Sequence, residues 1–242
     1  MAHFYLSDDV TLATVGGTVV VSGSEARHAI TVGRLKAGER LSVGDGCGTI
    51  VEGVVSTVGA DNFVLTVESI DLEVVPGPRL WLAQALAKGD RDELAIQAAT
   101  ELGVDGVIPW AATRSIVRWE GAKALKHEER WRSVVREASK QSVRHRIPVM
   151  QSLATTAAIE KFGDDFRLVV LDPTGDESLS TMTVDGRDIL LIVGPEGGIT
   201  PTELSRFRES GASIASLGSR IMRTSTAGPA AIAVLNSRLN RW

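Results

Sequence analysis

The sequence predicts an α/β protein with a small β-rich domain ahead of it, and three observations carry that prediction. Five apolar residues in succession, Ile189-Leu190-Leu191-Ile192-Val193, read as a strand covered on both faces, which belongs in a parallel sheet flanked by helices. From Leu80 onward, strand-like and helix-like runs alternate, the pattern of helices packed on a parallel sheet. Before residue 73 the chain shows short β segments separated by turns instead. The expected domains are residues 1–73 and 77–242.

In the first domain, Val19–Val21, Arg40–Val43, Thr49–Val58 and Phe63–Ile70 are the expected strands. Gly16-Gly17, Asp45-Gly46 and Asp61-Asn62 supply the turns, and the set suits a small β-barrel. Glu73-Val74-Val75-Pro76-Gly77-Pro78 is hostile to helix, because each proline restricts the residue before it, and it forms the boundary. Beyond it, Leu80–Leu86 reads as strand. Asp90–Leu102 reads as a helix with Leu94, Ala98 and Leu102 on one face and Gly103 as its stop, and Val104–Pro109 as the next strand. Arg130, Arg132, Arg136, Lys140 and Arg144 recur at helical spacing among Trp131, Val134, Val135 and Ala138, which predicts an amphipathic basic helix. Strands at Arg167–Leu171, 188–193 and 213–217, a helix at 201–210 and a final helix from about Thr226 complete the order. That last helix carries Ala227, Ala230, Ala231, Ile232, Val234, Leu235 and Leu239, so it is apolar over more than one face and needs cover on both sides.

Two loops stand out as a candidate ligand site. Gly194-Pro195-Glu196-Gly197-Gly198 leaves the apolar strand, and Thr200 as N-cap, Pro201 as first helical residue and Glu203 as capping-box partner start the next helix, with Leu204 and Phe207 on its apolar face. Glycines at this edge let backbone approach a bound molecule, and ligands bind at the carboxyl ends of strands in open α/β sheets. The loop is neither a Walker loop nor a Gly-x-Gly-x-x-Gly fingerprint. A second loop, Gly218-Ser219-Arg220-Ile221-Met222-Arg223-Thr224-Ser225-Thr226-Ala227, follows the short run ending at Leu217 and could share the pocket.

Composition narrows the classes. With 242 residues and 43% hydrophobic content the chain can bury one large or two modest cores. It has no signal-like amino terminus and no apolar run near the ~18 residues of a membrane span, so a cytoplasmic protein is expected. The single cysteine, Cys47, rules out an intrachain disulfide, and as a small buried or loop residue between glycines it is not expected to be a reactive thiol. The histidines, at 3, 28, 127 and 145, lack the spacing and acidic companions of a zinc helix, so no metal is expected. The net charge of −4 argues against a generally basic coat. Charge is uneven, however: residues 114–148 hold ten Lys or Arg against four Glu, whereas residues 1–75 hold four basic and ten acidic side chains, so any nucleic acid would meet a local patch.

Six motifs in order resemble the RsmE family of ribosomal RNA uridine N3-methyltransferases, within the SPOUT superfamily. Gly194 to Gly198 looks like that family's Gly-Pro-Glu-Gly-Gly loop, and Leu217-Gly218 through Ile221-Met222-Arg223-Thr224 like its Leu-Gly-x-x-Ile-Leu-Arg-Thr segment. Ala99 to Val104 with Ile108-Pro109, Arg114-Ser115, Arg130-Trp131 through Glu137-Ala138 with Gln141, Arg144 and Pro148, and Arg27-His28 with Val32 and Arg34 complete the set. The chain departs from the pattern at Ala98 (often Lys), Gly33 (usually Leu), Met222 (Leu) and Ser225 (often Glu).

The resemblance implies a trefoil-knotted SPOUT methyltransferase domain preceded by a PUA-like β-barrel; the knot is not predicted by periodicity, and ordinary topology rules oppose it. It implies methyl transfer from S-adenosyl-L-methionine to N3 of a uridine in 16S rRNA, in the 30S subunit, by a homodimer whose knot and terminal helices pack on the second subunit. The cofactor-binding residues it points to are Leu171, Gly194, Pro195, Glu196, Gly197, Gly198, Leu217, Gly218, Ile221, Met222 and Arg223. Arg223 is also the candidate catalytic residue, since a permanent guanidinium near the uracil oxygens would stabilise an anion at N3. Ser225 cannot act as the carboxylate base the family could supply there, so the base is unassigned. Candidate RNA contacts are Arg27, His28 and Arg34 in the small domain and Lys88, Arg91, Arg118, Arg144 and Arg146 in the larger, while Trp119 and Trp131 are expected to pack rather than stack on bases. Another SPOUT methylation, on ribose or guanine, and a non-catalytic RNA-binding protein are the competing readings.

Overall fold

The computed structural model describes residues 4–74 and 77–242, apart from the side chain of Ala122; Val75 and Pro76 of the expected boundary, and His3, lie outside the described residues. The chain divides into two compact units, Met1–Val75 with Ser139–Ile147, and Pro76–Ala138 with Pro148–Trp242.

The first unit is a five-stranded mixed sheet of β1 (Phe4–Leu6), β2 (Thr18–Ser22), β3 (Arg40–Gly44), β4 (Thr49–Val58) and β5 (Asn62–Leu72), in the order β1-β3-β4-β5-β2. Three of the four pairings are antiparallel, and β1 lies parallel to β3. Two register shifts on β4, at Glu52/Gly53 and Val55/Thr57, bend the long hairpin. Gly53 is required there, because a Cβ would collide with the Thr66 carbonyl. The sheet curls into a half-barrel whose ends do not pair as strands. Side chains close the seam instead: Ser7 Oγ donates to Val20 O (2.7 Å) and Val20 N to Asp9 Oδ2 (3.2 Å). Inside lie Tyr5, Val19, Val21, Leu41, Val43, Val51, Phe63 and Leu65, with Ala26 of the short helix α1 (Gly23–Arg27).

Ser139–Ile147 belongs to this unit, whereas the sequence reading places every residue after 77 in the second. Val143 and Ile147 pack on Phe4, Leu6 and Ile50, Lys140 forms an ion pair with Glu25 (3.1 Å), and Gly48 N donates to His145 O (3.0 Å). A periodicity argument follows local sequence and cannot register such a return. Cys47, expected as a small buried or loop residue, is an exposed residue of the connection between β3 and β4.

The second unit is a seven-stranded, wholly parallel sheet of β6 (Leu80–Ala85), β7 (Gly106–Trp110), β8 (Val149–Met150), β9 (Arg167–Leu171), β10 (Glu177–Ser178), β11 (Ile189–Val193) and β12 (Ser213–Ser216), ordered β10-β12-β9-β11-β6-β7-β8. β11 is central, paired with β6 and β9 and fully buried, as its unbroken apolar run requires. The helices are α2 (Arg91–Glu101), α3 (Ala122–Gln141), α4 (Thr156–Glu160), α5 (Pro201–Glu209) and α6 (Thr224–Arg238).

α2 buries Ala95, Ile96, Ala99 and Thr100, while Leu94, expected on the apolar face, is 55% exposed. The contact of α2 with α6 selects the small residues, which let the two helices approach. α6 starts at Thr224 rather than Thr226, with Arg223 as N-cap. Gly228 brings α6 onto the sheet, since a Cβ there would stand 3.1 Å from Leu82 Cδ1. In α3, Trp131, Val135 and Ala138 are buried as the spacing predicts; Trp131 meets the buried Trp119 edge to face, and Trp119 stacks on His127. Among the described residues, no helix is long and apolar enough to cross a membrane.

Candidate active site

The carboxyl ends of β9, β11 and β12 open onto a cavity of about 400 Å³, walled by the two loops singled out in the sequence. The first loop follows from β11. Gly194 closes the strand, and a Cβ on it would lie 2.6 Å from Ile199 Cγ1, so no other residue fits without displacing that side chain. Gly198 sits at φ +71° and donates its N–H to Pro195 O (2.9 Å). Thr200 and Glu203 make the expected capping box: Glu203 N donates to Thr200 Oγ1 (3.2 Å), and Thr200 N donates to Glu203 Oε2 (3.0 Å).

Glu203 does more than cap. Its Oε1 accepts from Thr113 N (2.9 Å) and Thr156 Oγ1 (3.1 Å), and Trp110 Nε1 donates to that hydroxyl (3.2 Å). Burial alone would raise its pKa, but the Thr113 and Thr200 donors outweigh burial and hold the carboxylate below the usual range. Two further ties fix the loop. Glu196 Oε1 accepts from Arg91 Nη1 (2.8 Å) and Lys88 N (3.2 Å), and Arg114 Nη1 donates to Gly197 O (3.0 Å). Burial raises the Glu196 pKa, yet its own amide, Arg91 and Lys88 N lower it by more, so it too titrates below the ordinary glutamate value. Asp92 shapes the partner segment by accepting from Ala87 N (3.1 Å), and burial pushes its pKa up despite that bond and one from Glu93 N.

The second loop, residues 217–223, is built differently. Gly218 has φ +97°, and a Cβ there would meet nothing within 4 Å. Among the described residues, the backbone amides of Gly218 to Met222 have no hydrogen-bond partner. Ile221 is 83% exposed and Met222 36%, both at the rim of the cavity. Thr224 ends the loop, buried, with Oγ1 donating to Gly194 O (2.8 Å). The exposed Arg223 guanidinium makes no hydrogen bond or ion pair among the described residues.

Of the cofactor candidates, Leu171, Gly194, Pro195, Glu196, Gly198, Leu217, Gly218, Ile221, Met222 and Arg223 all line this cavity. Gly197 does not; its carbonyl is engaged by Arg114. Asp172, Pro173, Val193, Ile199 and Ala215 line it without having been named as cofactor contacts, and so do Arg220, Thr224 and Ala227 of the second loop. Asp172 and Pro173 follow the end of strand β9, so the strand-end rule would have found them.

The RNA candidates fall into several environments. Arg27, His28 and Arg34 are exposed in the first unit, Arg34 with φ +54°. In the same unit Arg146 forms an ion pair with Glu73 (3.0 Å), and Arg144 is half-buried. In the second unit Lys88 is exposed, and Arg118 donates to the carbonyls of Ala112 and Thr113 (3.1 Å each). Arg91 lines the cavity and holds Glu196.

A parallel sheet whose strand ends carry such a pocket, with a curled β unit ahead of it, defines a class. Residues 75–236 match the RNA methyltransferase domain family, and residues 21–68 match the RNA methyltransferase PUA domain. The ribosomal RNA small subunit methyltransferase E of Mycobacterium bovis is 36% identical over 240 residues, 96% of this chain and 91% of its own length. The Bacillus subtilis protein of that name is 31% identical over 224 residues, covering 87% and 86%. A crystal structure of the Neisseria gonorrhoeae ribosomal RNA small subunit methyltransferase E, bound to S-adenosyl methionine, superposes with a TM-score of 0.88 at 26% identity over 98% of both chains. The chain belongs to the ribosomal RNA small subunit methyltransferase E family, and its fold is that of the Neisseria gonorrhoeae methyltransferase, an RNA methyltransferase domain with a PUA domain.

Proposed function

We propose that this protein methylates N3 of a uridine in 16S rRNA within the 30S subunit, using S-adenosyl-L-methionine, as a cytoplasmic homodimer. The observation that carries the reading is the cavity at the strand ends of a chain in this family. It fits the cofactor on three counts. Leu171, Ile199, Leu217 and Met222 give apolar walls suited to an adenine ring, and the amides of Gly218 to Met222, without partners among the described residues, are donors for its polar edge. The missing Cβ of Gly218 leaves open space within the cavity. Glu196, held by Arg91 and Lys88 N, is a third fit, a carboxylate fixed in place at the cavity wall.

When bound, the cofactor supplies a methyl group already activated by its sulfonium. The chain's residues then have to hold the uridine in line, exclude water and ease loss of the imide proton. Arg223, exposed at the cavity and without a partner among the described residues, is suited to stabilise the negative charge that moves onto the uracil oxygens as that proton leaves. Glu196 is a poor candidate for the base, because Arg91 and Lys88 N hold it ionised and engaged. A uridine caught in RNA structure must be exposed or flipped to enter the pocket.

In this reading the α/β unit is knotted. α6 packs on β6 and β11, and Arg238 Nη1 donates to Leu179 O (3.1 Å) in the segment between β9 and β11, a contact that a chain end drawn through that segment would make. The exposed Ile221 beside the cavity supports a second subunit completing the site. The test is methyl transfer from labelled S-adenosylmethionine to 30S subunits and to naked 16S rRNA from cells lacking the gene, with the product nucleoside identified by mass spectrometry. N3-methyluridine at one site is the expected product. A ribose- or guanine-methylated product would discard the substrate, and no product from folded, RNA-binding protein would leave a non-catalytic binder.

A further inference from the structure

Gln84, on β6, is fully buried and lies outside the cavity wall, yet its amide reaches Thr224 at the base of the second loop. Nε2 donates to Thr224 Oγ1 (2.8 Å) and to Ala85 O (3.2 Å). Because the Ala85 carbonyl can only accept, the nitrogen rather than the oxygen must face it. Thr224 Oγ1 therefore accepts a hydrogen bond from Gln84 Nε2, and its single O–H is directed to Gly194 O (2.8 Å). Among the described residues, that bond is the one hydrogen bond joining the 194–199 loop to the 217–224 loop. Gln84 Oε1 is meanwhile buried with no donor among the described residues. A half-satisfied buried amide is a worse stabiliser than an apolar side chain of the same volume, so stability alone does not account for it.

We propose that Gln84 is a positioning residue: through Thr224 it sets the Gly194 peptide and so the gap between the two loops that bind the cofactor. The proposal rests on the reading of the cavity as the S-adenosylmethionine site. The direction of the relay gives it a test. Gln84→Met keeps volume and removes the donor, Thr224→Val removes the hydroxyl at constant shape, and Thr224→Ser keeps it. Three quantities would be measured: melting temperature, S-adenosylmethionine affinity by calorimetry, and amide exchange at Gly198 and Ala227 in cofactor-free protein.

Gln84→Met is expected to melt at or above the native temperature, and Thr224→Val below it because Gln84 Nε2 and Gly194 O lose their partner; both should bind S-adenosylmethionine about tenfold more weakly, one hydrogen bond's worth. Their Gly198 and Ala227 amides should exchange faster, and the double variant should be no weaker than either single one. Thr224→Ser keeps the hydroxyl and should recover most of the affinity and exchange protection that Thr224→Val loses, at a somewhat lower melting temperature because a buried methyl is gone. Native-like affinity and exchange in folded Gln84→Met and Thr224→Val, or additive losses in the double variant, would overturn the relay. Native protein that fails to bind S-adenosylmethionine would sink the functional reading instead, and the exchange rates would still decide the relay.

Discussion

The two loops that face each other across the cavity are built in opposite ways. The 194–199 loop is braced from three sides, by Arg91 and Lys88 N on Glu196, by Arg114 on Gly197 O, and by Glu203 tied to Thr113. The 217–223 loop is tied at its end through Thr224, with a run of amides that have no partner among the described residues and apolar side chains left in water. The difference separates two tasks. A braced wall presents a fixed charge and fixed backbone, which reduces the ordering cost of binding. A wall with unpaired donors is completed by what it binds, and ligand-ordered segments are drawn from the less stable parts of a fold.

The largest expected effect comes from the loose side. Arg223→Ala should cut turnover roughly a hundredfold, about 3 kcal/mol in the barrier, while S-adenosylmethionine affinity stays within a few-fold; single-turnover rates set against calorimetric affinities would check it. Unchanged turnover would remove the residue from the chemistry.

Next comes the brace. Glu203→Ala should lower stability by about 2 kcal/mol, since it strips a helix cap and leaves Thr113 N unpaired. The native brace should also depend on pH. The folded pKa of Glu203 is depressed, so its contribution is fully present above the unfolded value of about 4.3 and is lost as pH falls below that through the folded pKa. Urea melts of native and variant protein between pH 7 and pH 3 should therefore converge at the acid end.

A smaller contrast separates the loops directly. Gly194→Ala forces a contact with Ile199 in the braced wall and should cost roughly 2 kcal/mol of stability. Gly218→Ala meets only its own positive φ and should cost about 1 kcal/mol. Equal costs in thermal denaturation would mean that the second loop is as rigid as the first. The smallest effect is Glu196→Gln, where the ion pair with Arg91 is partly exposed and stability should change by less than about 1 kcal/mol. Its trace is expected in faster amide exchange of the glycine loop.

Much of the braced loop was legible in sequence because its signals are local. Thr200-Pro201 with Glu203 announced a helix start, and the apolar run at 189–193 announced a buried parallel strand; both stand in the structure. The family motifs also led to the cavity's walls, Gly197 excepted. What escaped is nonlocal. Nothing in the neighbourhood of Arg91 says that it will hold Glu196, 105 residues away. Nothing near Gln84 says that it will meet Thr224, 140 residues on. The three-residue strand Phe4–Leu6 is too short to show a period, and Leu94 read as buried because helical spacing marks a face without saying which neighbour will cover it.

The return of Ser139–Ile147 to the first unit has a consequence for how this protein comes into being and how its parts can be exchanged. The N-terminal sheet finds the partners of Phe4, Leu6 and Ile50 in Val143 and Ile147, and the partner of Glu25 in Lys140. Its packing therefore cannot be completed on a nascent chain until residue 147 has been synthesised, by which time β6, α2 and β7 have already emerged. A gene fragment ending at the linker would encode the strands of that unit without the segment that finishes its core. In this family member the N-terminal unit is not a cassette, and transplanting it to another enzyme would require carrying a piece of its neighbour along.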